Sequence, residues 1–357
     1  MTKKQIHHVI GVMSGSSLDG LDLACCTFQQ ENGRWHYTIE QAETLSYDGQ
    51  MAGQLGKLSK FTAETFINID VQLGRFIGDA INRFMKENNL KNIDYIASHG
   101  HTAFHNPSKG YSTQIGNGAI IAASTSIPTI TDFRSLDVAL GGQGAPLVPI
   151  GDAYLFPEYD YCLNLGGYSN ISFPRNGKRL AFDICPVNKA INFLANQAGS
   201  KMDKNGKMAA RGMVNEELMD KLNNLEFYHT PLPKSLGDEW LNNRFLKVLK
   251  DASYVSLQDQ LRTVYEHIAI QIDKASGEIS EGNMLVTGGG AHNKFLMDRI
   301  RERNKNRITI PGGRLVEFKE ALIFAFMGVL RSKGDINCLA SVTGALRDSC
   351  GGVVYEV

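Results

Sequence analysis

The chain has 357 residues, a length typical of about two domains, and 43% of them are hydrophobic, which is sufficient for a sizeable core. Its 37 Lys and Arg residues balance 37 Asp and Glu residues, so the formal net charge is zero. This balance excludes a partner recruited by bulk charge, such as nucleic acid or an anionic membrane surface. The 36 glycines against 10 prolines predict many tight turns rather than a disordered chain.

Cysteine usage and hydropathy predict a cytoplasmic protein. The six cysteines form no Cys-x-x-Cys pair, and Cys25 and Cys26 are adjacent, which is typical of reduced core residues rather than of a disulfide framework. The apolar run over residues 6–13 ends too abruptly for a signal peptide. The densest apolar stretch, residues 321–330, is roughly half as long as a membrane-spanning helix.

Strand and helix signals alternate along the chain, which predicts a mixed α/β protein. Residues 6–13 and 20–28 are predicted strands around a Gly/Ser turn, and residues 64–88 carry apolar side chains at helical spacing. Further strands are predicted at 93–98, 161–165, 169–173 and 284–287, and further helices at 257–276, 294–303 and 317–330. The last helix is apolar nearly all round, so we expect it to be buried.

One pattern occurs twice. An apolar strand runs into a Gly/Ser turn and back into a strand at residues 9–26 and again at 161–173. A third glycine turn, TGGGAHN at 287–293, follows a strand and precedes a helix. Two similar halves, each with a glycine hairpin, indicate a duplicated fold that holds a nucleotide.

The segment 11–22 (GVMSGSSLDGLD) is the first candidate phosphate-binding turn. Gly15 and Gly20 let the backbone approach an anion closely, and three nearby hydroxyls can donate to phosphate oxygens. Those hydroxyls belong to Ser14, Ser16 and Ser17. Asp19 and Asp22 are hard oxygen ligands of the kind that Mg²⁺ prefers. The alternative is a plain hairpin with a polar turn; the segment is neither a Walker A loop nor a dinucleotide fingerprint.

Two further motifs lie in the middle of the chain. In LNLGGYSNIS, residues 163–172, Gly166 and Gly167 follow a strand and suit a phosphate, with a plain hairpin as the alternative. In AFDICPVNKAIN, Asp183 ends an apolar strand ahead of a helix that starts near Asn188. A carboxylate there is well placed to act as a general base, and the alternative is that it caps the helix.

Polar clusters provide additional candidates. His99, His101 and His105 allow a metal-site hypothesis, although they lack the spacing of a zinc helix, and substrate contacts or structural roles are favoured. Around the glycine-rich loop 141–146 lies a second cluster, which can orient a polyhydroxylated ligand or form internal ion pairs. Its members are Asp132, Arg134, Asp137 and Gln143. Glu320, in the apolar helix, is either exposed or directed into a cleft.

These motifs, in this order, resemble the anhydro-N-acetylmuramic acid kinase family, within the superfamily of actin, the sugar kinases and the heat-shock ATPase chaperones. The resemblance spans nearly the whole chain, and the SGSSLDG turn and GGQGAPLVP stretch are its most specific parts. The remaining motifs are SHGHT (98–102), QIGNGAIIA (114–122), LNLGGYSNIS, FDICPVN (182–188), PLPKSLG (231–237), TGGGAHN, FKEALIFAF (318–326) and SVTGA (341–345).

The resemblance implies an α/β chain with the two-domain actin-like ATPase (sugar kinase) fold and a central nucleotide cleft. The expected domains are residues 1–131 with about 340–357, and residues 132–339. ATP would be bound by Gly15, Ser16, Ser17, Leu18, Asp19, Gly20, Leu21, Asp22, Gly166, Gly167, Gly288, Gly289 and Gly290. The sugar would contact His99, Arg134, Asn188 and Glu320. Asp19 would bind Mg²⁺, and Asp183 would be the catalytic residue.

The implied reaction belongs to cell-wall sugar recycling in the cytoplasm. Water adds at C1 of a 1,6-anhydro sugar and opens the bridge, while O6 takes the γ-phosphoryl group of ATP. The partner is a small sugar, with no nucleic acid or membrane, and a homodimer is left open. The residues after Asp183 depart from the family's Thr-Gly-Pro-Gly-Asn, with Ile184-Cys185-Pro186-Val187-Asn188 instead. The open alternatives are a catalytically altered nucleotide-binding homologue and a kinase for a different anhydro or amino sugar.

Overall fold

The computed structural model describes residues 6–15, 18, 20–232, 234–279 and 281–357. The chain divides into two compact units: unit 1 comprises Met1–Phe156 and Phe318–Val357, and unit 2 comprises Pro157–Glu317. No helix within the described ranges is both long and apolar enough to cross a membrane.

The strands alternate with helices, as the sequence predicts. They are β1 Ile6–Ser14, β2 Leu21–Glu31, β3 Arg34–Leu45, β4 Tyr95–Asn106, β5 Tyr111–Ile115, β6 Thr129–Thr131, β7 Tyr161–Leu165, β8 Tyr168–Arg175, β9 Lys178–Pro186, β10 Asn283–Thr287, β11 Arg307–Thr309 and β12 Val353–Tyr355. The helices are α1 Gly49–Leu55, α2 Ala63–Glu87, α3 Gly118–Thr125, α4 Ser135–Ala139, α5 Pro149–Leu155, α6 Asn188–Gln197, α7 Glu216–Asn223, α8 Asp238–Trp240, α9 Leu246–Asp251, α10 Leu257–Ala275, α11 Lys294–Arg303, α12 Gly313–Lys333 and α13 Ala340–Thr343. A π-helical turn, Leu241–Phe245, joins α8 to α9.

The two sheets repeat one topology. In unit 1 the strand order is β12-β6-β4-β1-β2-β3, and in unit 2 it is β11-β10-β7-β8-β9. Each sheet begins with two antiparallel pairings, β1 with β2 and β2 with β3, or β7 with β8 and β8 with β9. The first strand of each trio then pairs in parallel with the strand after a helical crossover, β4 or β10. The duplication predicted from the repeated hairpins is therefore confirmed, and with it the α/β actin-like (sugar kinase) fold class.

Helix α2 illustrates how the sequence specifies the elements of unit 1. The Thr62 hydroxyl accepts a hydrogen bond from the Thr65 amide, which satisfies a donor that the first helical turn leaves free. Apolar side chains recur every three or four residues along the helix and are buried. They include Ile69, Leu73, Ile77, Ile81 and Phe84.

Helix α12 is buried, as its apolar sequence predicts. Phe326 packs 5.5 Å from Phe28 and 5.2 Å from Trp35 between ring centroids, while Phe324 packs against Phe133. Large aromatic rings buried on several sides supply much of a core's stabilisation. The part of α12 from residue 318 onward is thereby part of the core of unit 1.

The glycine-rich loop 141–146 is bound to the rest of unit 1 by hydrogen bonds of Asp137. The buried Asp137 carboxylate accepts from the Gly144 amide at 2.7 Å and from the Thr343 hydroxyl at 2.7 Å. A Cβ on Gly142 would lie 2.2 Å from the Asp137 carboxylate, so a side chain there has no room. The units divide at 156/157 and 317/318, whereas the sequence placed the boundaries at 131/132 and near 339/340.

A buried histidine makes the stability of unit 2 dependent on pH. His267 lies on α10 between Asn223 and Tyr228, and each side chain is 2.8 Å from one of its ring nitrogens. Burial, assisted by the charge of Lys274, lowers the pKa of His267 from 6.5 to about 3. Between these values the unfolded chain binds a proton that the folded chain does not, so stability decreases as the pH falls.

We predict that the free energy of unfolding of the wild type decreases between pH 6.5 and 4 by up to about 1.4 kcal/mol per pH unit through His267 alone. The His267→Gln variant should show a correspondingly shallower slope in denaturant unfolding at several pH values. His292→Gln, at an exposed histidine, is the control and should keep the wild-type slope. Equal slopes for wild type and His267→Gln would contradict this prediction.

Candidate active site

Asp183 lies on β9, three residues before the strand ends, and α6 begins at Asn188 as the sequence predicts. Its carboxylate Oδ2 accepts a hydrogen bond of 2.8 Å from the amide of Leu236, and its own amide donates to the carbonyl of Lys234 at 3.2 Å. The cap position of α6 is held by Val187 without a side-chain hydrogen bond. Asp183 therefore does not cap the helix, and this alternative is wrong.

The Asp183 carboxyl group is half-buried, and its environment favours the protonated form. Burial raises its pKa from 3.8 to about 6, and the hydrogen bond from Leu236 opposes that shift. A carboxylate with a pKa near 6 is ionised at neutral pH yet basic enough to accept a proton from water in a transition state. These are the properties that a general base requires.

The turn at Gly166 and Gly167 is fastened to the start of α6. The Gly167 carbonyl accepts from the amides of Val187 at 2.9 Å and Lys189 at 3.3 Å, and the Gly166 carbonyl accepts from Asn188 at 3.2 Å. These bonds satisfy amides that a helix start leaves without intrahelical partners. They also fix the turn beside the end of β9, on which Asp183 lies.

The third glycine turn lies against the second. Gly288 has φ +84°, and a Cβ there would lie 2.5 Å from the Asn164 side-chain oxygen, so only glycine fits without strain. A Cβ on Gly290 would contact Leu165 at 2.8 Å, and one on Gly289 would lie 3.8 Å from the Asn188 amide nitrogen. The two glycine turns of unit 2 are therefore adjacent in space, although more than 100 residues separate them in sequence.

The residues that depart from the family pattern fit this fold. Val187 is fully buried and holds the cap position of α6. The buried Cys185 sulfur lies 3.3 Å from the Ser169 hydroxyl. Burial raises the pKa of this thiol to about 12, so it stays protonated at neutral pH. Both side chains belong to the core of unit 2.

Part of the first glycine turn lies in unit 1 within the described residues, whereas Ser16, Ser17 and Asp19 lie outside them. The described members of this turn are Gly15, Leu18, Gly20, Leu21 and Asp22. The Thr44 hydroxyl donates to the Asp22 carboxylate at 2.6 Å, which fixes its position.

Ser14, proposed from the sequence as a phosphate donor, is buried. Its hydroxyl accepts from the Tyr47 hydroxyl at 2.6 Å and lies 2.9 Å from His101 Nδ1. These contacts anchor the base of the turn to β4.

Three of the four expected sugar contacts form one cluster in unit 1. Arg134 Nε donates to His99 Nε2 at 2.9 Å, and His99 Nδ1 lies 2.8 Å from the Gly100 carbonyl, so the imidazole is neutral with its proton on Nδ1. Burial and then the Arg134 charge keep the His99 pKa well below its usual range. Glu320 interacts with Arg134 electrostatically, while Asn188 lies in unit 2.

Burial opposes ionisation of both charged members of this cluster. It lowers the pKa of Arg134 to about 10, and the nearby Glu320 opposes the shift, so Arg134 remains a cation at neutral pH. For Glu320, burial and then the Asp22 charge raise the carboxyl pKa, whereas Arg134 lowers it. Glu320 is half-buried and lies within α12 rather than at its exposed start.

The three histidines have separate partners, which is unlike a zinc site. His101 contacts Ser14, and His105 Nδ1 lies 3.0 Å from the Ser112 hydroxyl. Within the described residues, no group of three or more His, Cys, Asp or Glu side chains is arranged to hold a metal ion.

Unit 1 also contains a polar cavity of about 230 Å³, and His99 is one of its walls. The Asp70 carboxylate accepts from the Gly116 amide at 2.7 Å and from the Asn117 side chain at 3.1 Å, which holds one side of the cavity in place. Further lining residues include Ser98, Gln114, Asp132, Ser135 and Tyr355.

Two polar atoms of the cavity wall have no protein partner. The Ser98 hydroxyl and the Gln114 side-chain oxygen are both inaccessible to solvent, and neither has a hydrogen-bond partner among the described residues. The Gln114 amide nitrogen donates to Ser112 at 2.9 Å and to Thr102 at 3.3 Å, which fixes the orientation of the group. Buried polar atoms are nearly always paired, so these two are exceptions in this part of the fold.

Sequence reasoning did not single out Ser98 or Gln114 as site residues. Ser98 precedes the histidine motif at a position that reads as a buried strand, and Gln114 opens the QIGNG motif. The available signal was a polar side chain at an otherwise apolar position. Such a residue is usually satisfied within the protein, and only the fold shows that these two atoms are not.

The duplicated α/β fold, the adjacent glycine turns and the half-buried carboxylate define an enzyme of the sugar kinase class. The family model for anhydro-N-acetylmuramic acid kinase matches residues 7–357. The anhydro-N-acetylmuramic acid kinase of Sulfurimonas denitrificans is 32% identical over 373 residues, covering 97% of this chain and 99% of that protein. The corresponding kinase of Aliivibrio fischeri is 34% identical over 365 residues, covering 97% and 98%. The chain therefore belongs to the anhydro-N-acetylmuramic acid kinase family.

The raised pKa of Asp183 predicts a stability cost at neutral pH. Between pH 3.8 and about 6 the folded chain binds a proton that the unfolded chain does not, so stability decreases as the pH rises through this interval. We expect Asp183→Asn to unfold at higher denaturant concentration than the wild type at pH 7.5, because the amide carries no charge. At pH 4 the two proteins should be nearly equal. A variant less stable than the wild type at pH 7.5 would contradict this.

Proposed function

We propose that this enzyme is an ATP-dependent kinase that opens the 1,6-anhydro ring of anhydro-N-acetylmuramic acid with water and phosphorylates O6. The observation that carries the proposal is the Asp183 carboxylate, half-buried, with a pKa near 6, on the strand that leads to the glycine-turn cluster. The proposed setting is cytoplasmic recycling of peptidoglycan sugars.

A water oxygen forms a bond to C1 of the sugar, and the C1–O6 bond breaks. Asp183 takes the proton that this water loses. O6 forms a bond to the γ-phosphorus of ATP, the bond to the β-phosphate oxygen breaks, and ADP leaves. The products are ADP and the sugar 6-phosphate, which carries a free hydroxyl at C1. Phosphoryl transfer of this kind is catalysed mostly by positioning the reactants and stabilising charge.

In this proposal the glycine turns hold the nucleotide. Gly166 and Gly167 would contact the phosphates. The segment Gly288–Gly290 would flank the adenosine. The rigidity of the two turns in unit 2 supports this role, because a preorganised backbone binds a phosphate without first losing conformational entropy.

Mg²⁺ fits the oxygen donors near the first turn. Asp22 lies close enough to Glu320 for its charge to raise the Glu320 pKa. One or two carboxylates that share the ion with phosphate oxygens and water are a usual set of Mg²⁺ ligands. We propose that Asp22 serves the ion together with Asp19, which lies outside the described residues. When bound, the ion neutralises charge on the phosphates.

The sugar is proposed to bind in the polar cavity of unit 1. Ser98 and Gln114 line this cavity. We propose that their side chains shift on binding, so that the Gln114 oxygen accepts from a sugar hydroxyl or amide and the Ser98 hydroxyl contacts a sugar oxygen. Arg134 stays charged beside His99 and suits an anionic substituent such as a carboxylate.

A second candidate function is a nucleotide-binding protein without kinase activity, or with a different anhydro or amino sugar as substrate. The favouring observation is the pair Cys185 and Val187, which add bulk two and four residues after Asp183. Tight ATP binding by calorimetry with no acceptor in a screen of anhydro and amino sugars would support it.

We predict that the wild type releases ADP in the presence of anhydro-N-acetylmuramic acid, and that Asp183→Asn loses about 10²–10⁴-fold in kcat, the range expected for a general base. A coupled ADP assay measures the rate, and ³¹P NMR identifies a sugar 6-phosphate. Cys350→Ser, at a partly exposed thiol in unit 1, is the control and should retain full activity. No turnover by the wild type, or unchanged turnover by Asp183→Asn, would contradict the proposal.

We further predict that Ser98→Ala and Gln114→Met raise KM for the sugar by about 5- to 100-fold, since a lost hydrogen bond to a bound ligand costs about 1–3 kcal/mol. KM for ATP should change less than twofold. Gln72→Met, at a glutamine on α2 outside the cavity lining, is the matched control. Equal effects on both KM values, or none, would show that the cavity does not bind the sugar.

A further inference from the structure

The segment Lys234–Asp238, hereafter the strap, is hydrogen-bonded to Asp183 on the edge strand β9. The strap carbonyl at Lys234 accepts from the Asp183 amide at 3.2 Å, and the strap amide at Leu236 donates to the Asp183 carboxylate at 2.8 Å. The strap thus holds the backbone of Asp183 and supplies a hydrogen bond to its side chain.

At its Asp238 end, the strap contacts Tyr168 and Lys189, two residues that flank the glycine turn at Gly166 and Gly167. The Tyr168 hydroxyl donates to the Asp238 carboxylate at 2.7 Å, and the Lys189 ammonium forms an ion pair with the same carboxylate. Tyr168 follows Gly167 directly, and the Lys189 amide donates to the Gly167 carbonyl at 3.3 Å. The Lys189 ammonium also lies 4.9 Å from the centroid of the Tyr168 ring.

The strap is also held at its Lys234 end, so it has contacts on both sides of the Leu236 amide. The Lys234 ammonium donates to the Phe227 carbonyl at 3.2 Å and lies 4.7 Å from the centroid of the Phe227 ring. Two anchors flanking one amide restrict how far that amide can move. The direction of the hydrogen bond to Asp183 therefore depends on both anchors.

We propose that Asp238, held by Tyr168 and Lys189, is a positioning residue that keeps the Leu236 amide on the Asp183 carboxylate. Through Asp238, the hydrogen bond to the Asp183 carboxylate depends on Tyr168 and Lys189, which flank the glycine turn. The assignment of Asp183 as the base rests on the proposed function; the positioning itself is a property of the fold.

The effect of Asp238 through the strap can be separated from the direct effect of its charge, because the two shift the Asp183 pKa in opposite directions. Among the described residues, Tyr168 on β8 interacts with Asp183 electrostatically. Lys234 and Asp238 lie on the strap, Lys189 on α6 pairs with Asp238, and the Cys185 thiol lies two residues after Asp183 on β9. Removing the negative charge of Asp238 would by itself lower the pKa of Asp183, since like charges disfavour ionisation. Releasing the strap has the opposite effect, because the Leu236 hydrogen bond holds the pKa down.

The first experiment measures the pKa of Asp183 directly by ¹³C NMR of its carboxyl carbon in wild type, Asp238→Ala and Lys221→Met. In Asp238→Ala we expect the pKa to rise by roughly half a pH unit or more, the size expected when a carboxylate loses one backbone hydrogen bond. Lys221→Met breaks an exposed ion pair with Glu217 on α7 and should leave the pKa unchanged. A lowered or unchanged pKa in Asp238→Ala would overturn the proposal.

The second experiment tests the ion pair between Lys189 and Asp238 by changing Lys189. Lys189→Met should accelerate amide hydrogen exchange at Leu236, and Lys189→Arg, which keeps the ion pair, should restore slow exchange. The ion pair is partly exposed, and such pairs contribute little individually, so we expect a change of roughly 2- to 10-fold. Equal exchange in wild type and Lys189→Met would contradict the role of this anchor.

Kinetics distinguish a failure of the positioning role from a failure of the proposed function. With an active wild type, the acid limb of the kcat/KM profile in Asp238→Ala should move to higher pH with the NMR pKa, and KM for ATP should change less than twofold. An inactive wild type with shifted NMR pKa and exchange would refute the proposed function and leave the positioning role intact. An active wild type with neither shift would refute the positioning role alone.

Discussion

The hydrogen bonds between the start of α6 and the glycine turn determine the geometry of unit 2. The amides of Val187, Asn188 and Lys189 would otherwise lack intrahelical partners, and the turn carbonyls at Gly166 and Gly167 satisfy them. Because α6 follows directly after β9, the same bonds fix the strand that carries the carboxylate. The third glycine turn then packs on β7. It lies there because β10, which leads into this turn, pairs in parallel with β7.

Two opposing effects set the acidity of Asp183. Burial favours the neutral acid, and a single backbone hydrogen bond favours the anion, leaving a pKa of about 6. An exposed carboxylate would be a weaker base, and a fully buried one without a donor would remain protonated at neutral pH. This balance destabilises the folded state at neutral pH, which is a common cost of a functional group held in a partly apolar environment.

Much of the fold was predictable from residue patterns, because local chemistry specifies it. The repeated hairpins predicted the duplication, and a helix was predicted after the glycine turn at 287–293, where α11 spans Lys294–Arg303. The boundaries between the units were not predictable, because the hydrogen bonds of Asp137 to Gly144 and Thr343 join distant segments. The unpartnered atoms of Ser98 and Gln114 and the strap likewise depend on tertiary contacts that no local pattern encodes.

The most direct test of the central claim follows glycine amides during a nucleotide titration. In protein labelled with ¹⁵N-glycine, a nonhydrolysable ATP analogue should shift the signals of Gly166, Gly167 and the three glycines from 288 to 290 together, with one common Kd. The ¹³C carboxyl signal of Asp183 should change over the same range. Binding of the analogue detected by calorimetry, with these signals unmoved and other glycines shifted, would contradict the account.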